Sequence, residues 1–223
     1  MLITLYDFLV FVHILLFVFW LGADMGVAVL GHHFRKRSYS MPERLTILKL
    51  LGIIDMFPRS AWALMVPLSV SLLAVGGYWT LTTEVILLFW LLGFGWLLLV
   101  WQIHLRPENP LITKLKKIEF VLKLLLASFY TLLGLASLYW SEPLSEYWLA
   151  TKSLLFGFIF LSAIMIDLRF RELSPALMKL VEQGSTDETE AKTLKIMNRS
   201  RFWVRVVYIL LVMTAFVGTT KFY

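Results

Sequence analysis

The chain has 223 residues, 59% of them hydrophobic, a positive mean hydropathy and a net charge of +6. A soluble domain of this size does not carry that much apolar surface, so a soluble fold is excluded. Cysteine is absent, which excludes a disulfide or a thiolate metal site, and the basic balance reads as membrane-loop bias rather than nucleic-acid binding.

A membrane-spanning helix needs about twenty mostly apolar residues. Six stretches meet that requirement, so the expected fold is an all-α integral membrane protein, a six-transmembrane-helix bundle forming one domain over 1–223. The first span covers about 5–30. Its apolar run starts at Leu2 with no basic residue before it, too long and wrongly flanked for a cleaved signal peptide, so it reads as a mature helix. Met41–Ile54 places Leu45, Leu48 and Leu51 at helical spacing beside Arg44 and Lys49, the pattern of an interfacial amphipathic helix. The second span is 57–79 and the third 84–105, where Glu84 suits the positive end of a helix dipole. The fourth is 120–140. Lys123 follows Glu119 by four residues, the spacing of an ion pair on one helix face. The fifth is 147–168. Ser174-Pro175 then supplies a cap and a first-turn proline for a short helix over Pro175–Gln183. Ser185-Thr186 opens another helix with Asp187, Glu188 and Glu190 in its first turn. The sixth span is 203–222.

The loops fix an orientation. Residues 31–61, 104–119 and 169–205 carry six, four and eight of the 21 lysines and arginines, whereas 76–83 and 141–146 carry none. The positive-inside rule puts the basic loops in the cytoplasm and both termini outside.

Ionisable residues within spans are costly and mark functional candidates. His13, Phe17, Trp20, Asp24 and Gly31 fall within about 40° of His13 on a helical projection. Lipid does not reward histidine or aspartate, so this stripe is expected to face the protein interior. It reads equally as a packed, hydrogen-bonded histidine or as a ligand-bearing face. Lys152, near the outer end of the fifth span, has two readings: an ammonium lifted to the interface, or a residue of an internal site. The inner layer holds His32, His33, His104, Arg59, Asp167, Arg201 and Arg205, mostly at headgroup depth where anchoring accounts for them. A second metal or heme site from His32 or His33 with His104 is the sharper alternative. Trp62, Trp79, Trp90, Trp101, Trp140, Trp148 and Trp203 fit the interfacial aromatic belt.

Neutral imidazole is a ligand for iron, copper or zinc. An intramembrane histidine beside aromatics and small residues suits heme b, and Gly22 and Gly26 allow close approach to the first helix. His13 is the only histidine in the outer half, so a heme there has one histidine from the chain. Lys152, Met213, an exogenous molecule or nothing would take the sixth position. No phosphate-cradling glycine loop, HExxH or nucleophile–base pair is present. The nine methionines are scattered, with no ladder for copper passage. Asp24 alone does not define a proton relay.

His13-Ile-Leu-Leu-Phe-Val-Phe-Trp20-Leu-Gly22 reads H-x6-W-x-G. It resembles the opening helix of the small membrane proteins grouped around the copper-resistance protein CopD, the membrane domain of the urate oxidase PuuD and the protoporphyrinogen oxidase HemJ. Thr151-Lys152-Ser153-Leu154-Leu155-Phe156-Gly157 is similar to that group's K-x-x-L helix, and Arg201 with Lys221 is similar to its closing segment. Ala23-Asp24-Met25-Gly26 departs from the proline- and arginine-rich stretch of the porphyrinogen-oxidising subgroup, and the six-helix members match better. The resemblance implies heme b bound between helices, with His13 as iron ligand and Lys152 at the site, and its matched segments bring in Trp20, Gly22 and Arg201; the helical stripe adds Asp24 to the candidate site. It implies an oxidoreductase or electron-transfer subunit in a bacterial inner membrane. Its partners would be lipid, quinone or a redox protein, and a second copy of the chain. A copper or small-solute carrier, or a structural subunit of a larger complex, is the alternative function.

Overall fold

The computed structural model describes residues 3–222, so Leu2, where the first apolar run begins, lies outside the described residues. It is all-α. Seven helices follow in order: α1 Leu5–Phe34, α2 Met41–Val75, α3 Thr83–Leu105, α4 Ile112–Trp140, α5 Tyr147–Phe170, α6 Leu173–Gln183 and α7 Asp187–Thr220. All but α6 are long and apolar enough to cross a membrane on their own. Among the described residues there is no strand. In lipid every backbone polar group must be satisfied within the segment, which is why these apolar runs form helices. The six apolar helices make the chain an integral membrane protein.

Helix starts follow their caps. Thr4 and Asp7 form a reciprocal capping box ahead of α1, Ser40 and Glu43 do so for α2, and Thr186 and Thr189 for α7. The first cap joins the Thr4 hydroxyl to the Asp7 carboxylate at 2.6 Å.

Two boundaries differ from expectation. The amphipathic stretch Met41–Ile54 is not a separate helix, but the first part of α2. Pro58 and Pro67 lie inside that helix without ending it. Serine hydroxyls add bonds to carbonyls near both prolines: Ser60 donates to the Met56 carbonyl at 2.7 Å and Ser71 to the Pro67 carbonyl at 3.0 Å. Likewise the capped segment opening at Thr186 runs straight into the last span, because neither glycine nor proline intervenes between Asp187 and Val217. The C-terminal end of α2 falls at Val75, short of Trp79, where Gly76-Gly77 turns the chain with Gly77 at φ +73°. The short helix begins at Leu173 rather than Pro175.

The chain packs as two units, Met1–Glu119 and Phe120–Tyr223. In the first, α2 packs against both α1 and α3. Gly26 rests on Ile54, Gly31 on Leu51, and a Cβ at Gly93 would stand 2.6 Å from Pro67 Cγ. In the second, α5 packs on α7, and α6 folds back on α7 through Leu173, Ala176 and Leu180. The α4–α5 crossing is closest where small residues face backbone. A Cβ at Gly134 would meet the Leu154 nitrogen at 2.6 Å, and one at Gly157 would meet the Thr131 nitrogen at 2.7 Å. The Ser153 hydroxyl donates to the Tyr130 carbonyl at 2.9 Å across the same crossing. Without a hydrophobic drive between helices in lipid, such close contact and hydrogen bonding are what hold helices together. Lys123 pairs with Asp167 of α5 at 2.9 Å, a link between helices that the Glu119 spacing did not suggest.

Candidate functional site

The inward face of α1 is the one the periodicity selects. Trp20 and Gly31 are buried, and His13, Phe17 and Asp24 are half-buried. The opposite face, with Phe11, Ile14, Val18, Met25 and Val29, is exposed. By helix rise His13 lies about 12 Å, Trp20 about 22 Å and Asp24 about 28 Å from the start of α1. Against a hydrocarbon layer of about 30 Å counted from the start of α1, His13 falls deep in the apolar run and Asp24 near its far edge.

The Nδ1 atom of His13 is buried. Below it, Trp20 begins a run of three buried indoles. Trp20 and Trp62 rings lie 5.6 Å apart, and Trp62 and Trp96 rings 5.0 Å apart at 65°. Trp62 is therefore an interior residue rather than part of the aromatic belt, and Trp96 joins it from α3. Trp62 sits between Ala61 and Ala63, and Trp96 follows Gly93 and Gly95. That flanking was the available signal for tight interior packing.

Toward the C-terminal half of α1 a charged group spans α1 and α2. The Trp20 indole donates to the Asp24 carboxylate, which lies within electrostatic range of Asp55 and Arg59. Arg59 Nε meets Asp55 Oδ2 at 2.6 Å. Sequence reasoning missed Asp55, because it fell between the interfacial stretch Met41–Ile54 and the span 57–79.

The remaining histidines have other surroundings. His32 and His33 lie in the last turn of α1, and His33 Nδ1 shares a 2.7 Å hydrogen bond with the Tyr39 hydroxyl. His104 is exposed in the last turn of α3, with its ring near Trp101 and Gly52. Among the described residues no three histidine, aspartate or glutamate side chains group to hold a metal ion.

Gly22 is exposed, and a Cβ there would meet nothing within 4 Å, so it serves no close approach within the described chain. In the second unit Lys152 is half-buried on α5. Its ammonium lies where a Gly218 Cβ would be, 2.6 Å away, against the last turn of α7. Lys221, at the left-handed cap of α7, lies 5.3 Å from the Trp148 ring centre. Arg201 is half-buried on α7.

No family model, curated protein or solved structure matches this chain. The site must therefore be argued from its own chemistry. A single imidazole with one ring nitrogen buried, on an inward helix face at apolar depth, fits the donor set of a heme with one protein ligand.

Proposed function

We propose that the chain is a heme b membrane protein, working as an oxidoreductase or an electron-transfer subunit. The observation that carries this reading is His13, an imidazole turned inward in the apolar layer, where a histidine has a cost that function must offset. The sequence resemblance on H-x6-W-x-G supports it from a separate direction. His13 would hold the iron; bound heme b supplies one-electron chemistry between its ferric and ferrous states. Trp20 fixes the Asp24 carboxyl group by a hydrogen bond, keeping it on the inward face of α1. The three indoles close the space between α1, α2 and α3 to water. Electrons would pass to or from quinone or a redox partner protein. The loop charges support a cytoplasmic place for the three basic segments and an outer place for both termini, in a bacterial inner membrane.

The test is heme content per protein in wild type and in His13→Ala, each purified in mild detergent. Loss of most heme with insertion intact supports the reading; unchanged content overturns His13 as ligand. The group Asp24, Asp55 and Arg59 favours a second reading, a carrier of copper or another small solute, since two carboxylates share one guanidinium there. That reading expects Asp24→Asn to change cell-associated copper or cation while leaving the absorption spectrum alone.

A further inference from the structure

At the inner end of the second unit, α5 and α7 enclose a cleft of about 410 Å³ lined by Arg169, Arg199, Phe202 and Trp203. Arg169 stands in the last turn of α5, and Trp203 opens the apolar run of α7. The cleft therefore lies at the depth where hydrocarbon gives way to headgroups. Among the described residues neither guanidinium has a hydrogen bond or an ion pair. Asp167, two residues before Arg169, is already held by Lys123 at 2.9 Å. Two like charges lining one cleft repel each other, and an anion between them removes that repulsion. Guanidinium forks match phosphate oxygens in geometry as well as charge. The other half of the lining is aromatic, and Phe202 is 60% exposed. A free phosphate ion has no use for an aromatic wall, whereas the glycerol and upper acyl carbons of a lipid do.

We propose that this cleft binds the phosphate of an anionic phospholipid, with Arg169 and Arg199 on the phosphate and Phe202 and Trp203 against the glycerol and upper acyl carbons. The site is separate from the His13 face and stands or falls independently of the heme reading. A basic residue at a membrane surface strengthens attraction to anionic lipid by about fivefold, so removing both arginines is expected to weaken binding about thirtyfold.

The experiment titrates the purified full chain in neutral detergent with phosphatidylglycerol or phosphatidylcholine, reading bound lipid by native mass spectrometry. Saturable binding of one phosphatidylglycerol per chain, and none of phosphatidylcholine, is expected. The pair Arg169→Gln with Arg199→Gln should lose about thirtyfold. The pair Lys114→Gln with Lys116→Gln removes the same charge from another basic loop and should stay within about twofold, since a distant charge is screened. The pair Arg169→Lys with Arg199→Lys preserves charge and should fall between wild type and the glutamine pair, which keeps the test open if the glutamine pair misfolds. Equal loss in the arginine and lysine-loop pairs would show diffuse attraction and overturn the site. Displacement of the lipid by millimolar inorganic phosphate would show a site for the free ion and overturn it as well.

Discussion

His13 and Lys152 illustrate how a polar residue in an apolar helix finds its place. His13→Ala should remove most bound heme, measured as heme per chain, while the doubly changed His33→Ala/His104→Ala protein keeps it, because those two rings lie at helix ends. Heme lost only in the double variant would move the ligand to the inner layer. The ammonium of Lys152 rests against the last turn of α7, where unsatisfied carbonyls carry partial negative charge. Lys152→Gln should therefore leave the absorption spectrum unchanged and lower thermal stability modestly, by about 0.3–1 kcal/mol. A bleached spectrum in Lys152→Gln, rescued by Lys152→Arg, would instead put its charge at the heme. The stripe through His13, Trp20 and Gly31 was legible in sequence because one helix face repeats every few residues. The indoles of Trp62 and Trp96 were not, because a tryptophan in a span reads the same in a belt or in a core until its neighbours on other helices are known.

Helix contacts rest on small residues and on one ion pair. Gly134→Ala or Gly157→Ala pushes a Cβ into the backbone of the facing helix and should cost about 1–3 kcal/mol. Unfolding of α4–α5 in detergent checks this, and wild-type stability in both would mean the crossing is looser than the distances imply. Lys123→Met leaves the Asp167 carboxylate without its 2.9 Å partner and should cost about 3 kcal/mol. Adding Asp167→Leu should recover most of that loss in a double-mutant cycle. The apolar runs of all six spans could be read from sequence, since each exceeds the bilayer requirement by composition alone. The continuity of α2 and α7 could not. Their polar halves carry amphipathic or capped patterns of their own, and nothing local says whether a helix stops where the membrane does. The bond from Lys123 to Asp167 joins residues 44 apart in sequence, beyond any helical spacing.

For the whole molecule, six apolar helices with basic residues concentrated in alternate loops predict a definite topology. Reporters fused after residue 80 and after residue 190 should read opposite sides of the membrane, outside for the first and cytoplasmic for the second. Both on one side would contradict six crossings. The resemblance on helices 1 and 5 supplied the heme expectation, and packing explains part of what it rested on: Gly157 faces Thr131, and Lys152 faces Gly218. The functional reading depends on His13, on the inward face of α1. The absorption spectrum of the purified full chain, oxidised and then reduced with dithionite, tests that reading most directly. A Soret band that shifts on reduction, with sharpened visible bands in wild type and their loss in His13→Ala, is the predicted result. A spectrum showing only protein absorbance near 280 nm, from wild-type protein expressed with ample heme supply, would contradict it.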